Sequence, residues 1–167
     1  MKKRTRYIPN KIIDRSNYYE ICLYNYKCQK ISKTKIDKND LEKVKQYKWY
    51  LKNGYVLTNK KNNDIYKRLR LHHLIIGKPI FGLEIDHKNG NKLDNRKQNL
   101  RIITHQQNIM NRKAKGYYWY KINKKWRAMI QINKKIIHLG YFINRQDAIN
   151  ARKIAENKYF GIYAYNN

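Results

Sequence analysis

The sequence predicts an α+β protein made of small antiparallel sheets and short helices. Runs of aromatic and β-branched residues are separated by Gly, Asn and Asp turn sequences, and the helical patterns between them are short. We expect three parts in chain order: a small mixed α+β platform over residues 1–68, a strand–loop–strand–helix unit over 69–112, and a three-stranded antiparallel sheet packed on one helix over 113–167.

The composition limits the possible partners. The 167 residues are 41% hydrophobic, enough for one ordinary core or two small ones, and 39 Lys and Arg against 11 Asp and Glu give a formal net charge of +28. Such a charge requires a polyanionic partner or at least a steady counterion atmosphere, and nucleic acid is the leading candidate partner. The chain lacks a run of about 18 apolar residues and a basic amphipathic helix, so we expect no membrane binding.

The chain start and the cysteines indicate an intracellular protein. The basic segment 1–4 is not followed by an apolar stretch, so we expect no secretory signal and a location in the cytoplasm of a bacterial or virus-infected host. Cys22 and Cys28 have no second close Cys or His pair, so we expect two half-buried thiols rather than a zinc site or a disulfide framework.

The platform is predicted from local patterns. Residues 1–17 are basic and turn-rich, and we expect either a mobile arm that contacts phosphate or simple disorder. Asn53-Gly54 is the preferred two-residue turn of a hairpin, here over residues 49–58. The other expected elements are strands over 18–26, 29–36 and 65–71, and a short helix capped by Asp37 that runs through Leu41, Val44 and Tyr47.

The stretch 83–111 carries the predicted chemistry. Residues 83–85 alternate as a strand that ends on Asp86-His87, a pair whose side chains leave the strand in different directions. The elements that follow are a polar loop over 88–98, a second strand over 100–103, and a helix that starts at a capping box of Thr104 and Gln107 and carries Asn108.

These residue types indicate a metal-dependent nuclease centre. The carboxylate of Asp86 and the amide of Asn108 are hard ligands that suit Mg²⁺ or Mn²⁺, and two protein ligands suffice because water and phosphate oxygens fill the other positions. A neutral His87 imidazole accepts a proton from attacking water. The alternative is that Asp86 and Asn108 are only turn and helix-cap residues and His87 is a surface histidine; the ordered turn, strand and cap signals favour the nuclease centre.

The succession of DH, NGN, DNR, NLR, T and a helical Asn resembles the HNH endonucleases, specifically the phage and intron homing branch with the ββα-metal fold. The resemblance implies that His87 is the general base, that Asp86 and Asn108 are the metal ligands, and that Asn99 ties the loop to its flanking strand. Many family members have His as the helical ligand, so this chain is an H-N-N variant. His72 falls where the family has a His before Arg-Leu and is a secondary candidate. We expect one of His72 and its neighbour His73 to face the core and the other to face DNA or the active site, and a structural role is favoured for each.

The C-terminal part is predicted as three strands and a helix. The strands are expected over 117–120, 126–132 and 135–142, with turns at Asn123-Lys124 and Asn133-Lys134. Asn144 and Asp147 are expected to cap a helix that ends at Gly161. One face of this helix carries Ala148, Ala151, Ala155 and Tyr159. GYYW, KKWRAMI, IIHLGYF and QDAINARKIAENKYFG resemble the Apetala-two or ethylene-response-factor DNA-binding domain over residues 115–166. In that family, which also occurs attached to HNH nucleases in phages, the sheet lies in the major groove.

Strand alternation selects the DNA-binding candidates. Trp126, Ala128 and Ile130 match the Ala-rich helix face, so the opposite set of Arg127, Met129 and Gln131 is expected to meet DNA. His138 is expected on the same side, where plant members of the family place a DNA-contacting Trp. The predicted contacts are Trp119, Lys121, Arg127, Gln131 and His138. The alternative is a general basic sheet that reads no bases.

Together these features predict a site-selective DNA endonuclease of the homing type, in which the C-terminal module selects double-stranded DNA and the HNH centre hydrolyses one phosphodiester with Mg²⁺ or Mn²⁺. One motif per chain predicts that a monomer nicks one strand. The alternatives are a DNA-binding regulator with an inactive nuclease unit and an RNA-binding protein, whose aromatic side chains would stack on bases. No protein partner is evident from the sequence.

Overall fold

The computed structural model describes residues 9–25, 27–62, 65–112 and 114–165. They form small antiparallel sheets and short helices, so the predicted α+β class is confirmed. The chain divides into two compact units, Met1–Thr104 and His105–Asn167. The boundaries predicted at 68/69 and 112/113 stay predictions about domain limits.

The described residues of the first unit form three small sheets, each antiparallel. The first sheet has β1 (Ile12–Asp14), β2 (Tyr18–Tyr24) and β3 (Lys30–Asp37) in that order; the second has β4 (Tyr50–Lys52), β5 (Tyr55–Asn62) and β6 (Ile65–Arg70); the third pairs β7 (Leu83–His87) with β8 (Leu100–Thr104). The helices of this unit are a 3₁₀ turn (Lys38–Asp40), α1 (Leu41–Val44), α2 (Leu71–Ile76) and a second 3₁₀ turn (Lys97–Asn99).

One hydrophobic core holds these sheets together. Trp49 is a fully buried member of this core, and its indole Nε1–H donates to the carbonyl of Val44 at 2.9 Å. The buried members come from the platform, from α2 and from β8: Ile21, Leu23, Ile36, Val44, Trp49, Val56, Leu71, Ile75 and Leu100. Because α2 and β8 share this core with the platform, burial of apolar surface fixes the predicted site strands against the N-terminal sheets.

Residues 9–17 are not the mobile arm that the sequence predicted. β1 pairs with β2, and the side chain of Asn10 donates to the carbonyls of Cys22 and Trp49 and accepts from the Trp49 amide. The basic, turn-rich composition concealed the β-branched pair Ile12-Ile13, which forms an edge strand. Residues 1–8 of the predicted arm lie outside the described residues.

Several other local predictions are confirmed or corrected. Asn53 and Gly54 have φ values of +51° and +77°, as a type I′ hairpin turn requires, so that hairpin is confirmed. Leu71 starts α2 instead of ending β6, and α1 ends at Val44, before Tyr47. The cysteines are not a half-buried pair: Cys22 is a buried free thiol, and Cys28 is an exposed one.

The loop between β7 and β8 is held against the edge of β3. The amide of Lys35 donates to the carbonyl of Leu93 at 2.8 Å, and the amide of Asn95 donates to the carbonyl of Lys35 at 2.9 Å, which makes one isolated parallel bridge. Asp37 does not cap the following helix with its side chain; its Oδ2 accepts the amide of Lys97 at 2.7 Å. The N-terminal sheet therefore fixes the shape of a loop that belongs to the predicted nuclease motif.

In the second unit, the part of the chain that the structure describes forms one sheet with a long helix on one face. Its elements are α3 (His105–Met110), β9 (Tyr117–Tyr120), β10 (Lys125–Ile132), β11 (Lys135–Phe142), α4 (Arg145–Phe160) and a 3₁₀ turn (Gly161–Tyr163), with strand order β11–β10–β9. The predicted three strands and helix are confirmed, although α3 ends at Met110 rather than near Arg112. Tyr159, expected on the buried face of α4, is 40% exposed, and Phe160 is buried instead. No helix within the described ranges is long and apolar enough to cross a membrane.

Candidate active site

The strand β7 ends on the two residues predicted to carry the chemistry. In the antiparallel pairing of β7 with β8, Asp86 lies opposite Arg101 and His87 lies opposite Leu100. Asp86 is 8% exposed and His87 is 4% exposed, so the shared core shields both from bulk water. Electrostatic interactions and hydrogen bonds at such a position are stronger than on the surface, because little solvent screens them.

Asp86 forms a buried ion pair with Arg101. The guanidinium Nε donates to Oδ2 of Asp86 at 2.9 Å, and both side chains are largely buried. The pair is directly cross-strand, where side chains on one sheet face are nearest neighbours. The Arg101 contact fixes the orientation of the carboxylate. Sequence reasoning missed Arg101, because its role depends on the register between two strands separated by a loop.

His87 is oriented by a side chain that sequence reasoning also missed. Its Nε2 lies 3.3 Å from Oδ1 of Asn95, which is completely buried. Burial lowers the pKa of His87 below its ordinary value, while the hydrogen bond with Asn95 and the charge of Asp86 partly offset that shift. The imidazole is therefore neutral at pH 7, the state that a general base requires.

A second histidine packs against His87. His72, on α2, is 2% exposed, and its ring meets the ring of His87 edge-on with the centroids 5.2 Å apart. The rings of His73 and Tyr55 lie 4.8 Å and 5.6 Å from it. Burial, with smaller electrostatic contributions from His87, His73 and Arg70, lowers the pKa of His72 to about 3, so this ring stays neutral. His72 faces the interior and His73 is half-buried, in line with the expectation that one of the two faces the core.

Asn99 joins both ends of the loop between β7 and β8. Its side-chain oxygen accepts the amide of Asn89 at 3.1 Å, and its Nδ2 donates to the carbonyl of Asp94 at 2.8 Å. Its backbone carbonyl accepts the amide of Lys88 at 2.8 Å. These three bonds hold the loop closed immediately after His87, the kind of contact that the family resemblance implies for this residue.

The predicted metal ligands belong to different units. Asp86 lies in the first unit with His87, Asn99 and His72, whereas Asn108 lies on α3 in the second. In the part of the chain that the structure describes, no three His, Cys, Asp or Glu side chains cluster as a metal site. Mg²⁺ needs no such cluster, because one or two carboxylate or amide groups hold it together with water and phosphate oxygens. Asp86 fits that requirement, because its side chain offers oxygen ligands and Arg101 orients it as outer hydrogen bonds commonly orient metal-binding carboxylates.

The open face of the C-terminal sheet is rich in Arg, Tyr and His. Arg127 pairs with Tyr118 on one side and Tyr141 on the other, its Nη1 donates to the hydroxyl of Tyr118 at 3.0 Å, and its guanidinium also lies over the ring of Tyr120. His138, opposite Met129, stacks beside Tyr141. Gln131 is an exposed residue of the same face, so the face predicted from alternation contains Arg127, Gln131 and His138.

Trp119 does not share that face, and its selection as a DNA contact stays a prediction. It pairs with Trp126, and the two rings meet edge-on at 5.5 Å. Arg145 of α4 lies over the ring of Trp126, so both tryptophans are on the helix side of the sheet. The sequence shows that side chains alternate along β9. It does not show which set of side chains faces α4, because that depends on how β9 pairs with β10. Lys121 lies in the exposed turn after β9.

A neutral, buried imidazole beside an oriented carboxylate, in a chain of net charge +28, has the features of a hydrolytic centre for nucleic acid. Residues 49–110 match a family model described as HNH endonuclease. This part of the chain is therefore an HNH endonuclease domain, and the family suggests DNA endonuclease activity. Neither the curated proteins nor the solved structures contain a significant match to the chain.

Proposed function

We propose that the protein is a sequence-selective DNA endonuclease of the homing type, which hydrolyses a phosphodiester by single-metal HNH chemistry and nicks one strand of double-stranded DNA as a monomer. The observation that carries the proposal is the state of His87: a buried, neutral imidazole, hydrogen-bonded to Asn95 and adjacent to Asp86, inside the segment that matches the HNH family.

In this proposal His87 is the general base. The imidazole takes a proton from a water molecule as the water oxygen bonds to phosphorus, and the bond from phosphorus to the 3′ oxygen breaks. The products are a 5′-phosphate and a 3′-hydroxyl. The buried setting favours this role because the pKa of His87 is lowered, so the ring is unprotonated at neutral pH.

Asp86 and Asn108 would hold the divalent ion, Mg²⁺ or Mn²⁺. When bound, such an ion neutralises the charge that develops on the scissile phosphate and stabilises the departing 3′ oxygen. Arg101 keeps one carboxylate oxygen of Asp86 fixed through its 2.9 Å hydrogen bond. Asn99 keeps the loop after His87 closed, so that the base stays next to this carboxylate.

The C-terminal sheet would select the DNA, in the manner of the Apetala-two and ethylene-response-factor domains that its sequence resembles. Arg127 and Gln131 are suited to guanine and adenine edges in the major groove, and His138 lies on the same open face. Lys121, in an exposed turn at the sheet edge, would contact phosphate. A separate sheet adds contacts along the groove that a small nuclease centre cannot make alone.

The direct test is relaxation of supercoiled plasmid. The wild-type protein should convert it to the open circle in the presence of Mg²⁺ or Mn²⁺ and leave it intact with EDTA. His87→Ala should abolish the reaction while its affinity for DNA stays near that of the wild type. His105→Ala, which also removes an imidazole but from an exposed position, should still nick. Nicking by His87→Ala at the wild-type rate would refute the proposed role.

One observation favours a second candidate, a DNA-binding regulator with an inactive nuclease unit. The guanidinium of Arg101 already neutralises the carboxylate that would bind the ion. In that case the purified protein would retain duplex DNA tightly but leave plasmid intact with either ion. Competition between duplex DNA and RNA for binding would also test the third candidate, an RNA-binding protein.

A further inference from the structure

A chain of buried hydrogen bonds connects His87 to the N-terminal sheet. Asn95 bridges the two: its Oδ1 faces Nε2 of His87 at 3.3 Å, and its Nδ2 lies 2.8 Å from Oγ1 of Thr34 on β3. The Thr34 hydroxyl lies 2.8 Å from the carbonyl of Leu93. Thr34 and Asn95 are completely buried, although 61 positions separate them along the chain.

The carbonyl groups at the end of this series of hydrogen bonds determine which group donates and which accepts in each bond. A backbone carbonyl only accepts, so Thr34 donates its hydroxyl hydrogen to Leu93 and accepts from Asn95. The amide nitrogen of Asn95 also donates to the carbonyl of Lys92 at 3.3 Å, which leaves Oδ1 as the atom facing His87. Oδ1 accepts, so Nε2 of a neutral His87 carries the ring hydrogen, and the lone pair is on Nδ1.

We propose that Thr34 is a positioning residue that acts through Asn95 to hold His87 in the Nε2–H tautomer, so that the N-terminal sheet completes the nuclease centre. The proposal deepens the function proposed above and rests on it for its kinetic part. Thr34 lies outside residues 49–110, the range that matches the HNH family, and therefore adds a part that the family domain alone does not contain.

The hydrogen bonds around the loop separate this role from simple packing. The carbonyl of Leu93 also accepts the amide of Lys35 at 2.8 Å, so the loop keeps its backbone contact with β3 when the Thr34 hydroxyl is removed. Thr34→Val has nearly the same shape as the native residue, and its main effect is to remove the hydrogen-bond acceptor of Asn95. The side chain of Asn95 then loses its 2.8 Å hydrogen bond to Thr34 and keeps the longer 3.3 Å bond to the carbonyl of Lys92, so Asn95 holds the tautomer of His87 less firmly.

The test compares full-length wild type, Thr34→Val and Thr34→Ser, with Thr58→Val as the matched control at a buried threonine of β5. Two-bond ¹H–¹⁵N correlation spectra of ¹⁵N-histidine-labelled protein distinguish the neutral tautomers, and the His87 signals are assigned by their loss in His87→Ala. Wild type, Thr34→Ser and Thr58→Val should show the Nε2–H form. Thr34→Val should show a mixture, with kcat for nicking lowered about tenfold and KM unchanged.

Two results would overturn the proposal. One is a wild-type spectrum with the Nδ1–H form, which needs no variant to fold. The other is a folded Thr34→Val protein that keeps the wild-type tautomer and the wild-type kcat. If the tautomer responds as expected but no preparation nicks DNA, the positioning role stands and the proposed nuclease function fails. If wild type and Thr34→Val nick DNA equally and both show the same single tautomer of His87, the nuclease function stands and the positioning role of Thr34 fails.

Discussion

The buried histidine His72 predicts a defined loss of stability in acid. Its pKa is lowered to about 3 in the folded protein, mainly by burial, against an ordinary value of about 6.5 in the unfolded chain. Between these values the unfolded chain binds a proton that the folded chain does not, so stability is complete above about pH 6.5 and falls as the pH is lowered towards 3. At about pH 5 the linkage relation gives a loss of about 2 kcal/mol from His72 alone. Any folded pKa below about 4 gives nearly the same loss.

The measurement is urea unfolding at about pH 8 and about pH 5, followed by the NMR signal of the buried Trp49 indole, which reports on the first unit alone. His72→Phe keeps a ring and removes the titrating group, so its loss of stability between the two pH values should be about 2 kcal/mol smaller than that of the wild type. Tyr55→Phe, a change against the same ring that removes no imidazole, should keep the wild-type loss. An equal loss in wild type and His72→Phe would refute the reasoning.

Three further outcomes are expected. Arg101→Met removes the guanidinium that pairs with the buried carboxylate of Asp86 and should lower the free energy of unfolding by about 3 kcal/mol. The same Trp49 signal measures this change. A change within experimental error would contradict a buried ion pair. Gly116→Ala should destabilise the second unit by about 2 kcal/mol in thermal unfolding, because φ is +63° and a Cβ would lie 2.5 Å from Nε of the buried Arg152. The control is Gly82→Ala, which is also at positive φ but has no neighbour within 4 Å of the added Cβ. It should destabilise the first unit by less than this amount. Duplex DNA affinity should fall with salt with a log-log slope of about five or more in magnitude, and a slope near one would exclude an extended contact with phosphate.

Local patterns predicted much of the fold. The Asn53-Gly54 turn, the three C-terminal strands and the helix that ends at Gly161 follow from turn chemistry and from periods of two and 3.6 residues. Alternation along β10 also predicted that Ala128 and Ile130 face the helix, and both are fully buried. Patterns of this kind depend on residues that are close in sequence, so they can be interpreted without knowledge of the tertiary structure.

The parts that the sequence did not reveal depend on contacts between distant residues. Asn95 belongs to a run that is typical of a turn, and only its placement between His87 and Thr34 gives it a further role. Arg101 gains its role from the register of two strands, and Trp119 faces α4 because of its pairing with Trp126. Asp86 and His87 were identified because the carboxylate and imidazole are adjacent in sequence at a strand end. Their chemical roles, with those of Asn99 and Asn108, stay predictions.

The chemistry of the cleaved ends tests the central claim most directly. Plasmid nicked by the wild-type protein with Mg²⁺ is purified and treated with DNA ligase alone, beside plasmid treated with His87→Ala. Hydrolysis with His87 as base predicts nicks with 5′-phosphate and 3′-hydroxyl ends, which the ligase reseals, and no nicks with the variant. Nicks that the ligase cannot reseal, or resealable nicks made equally by His87→Ala, would contradict the account.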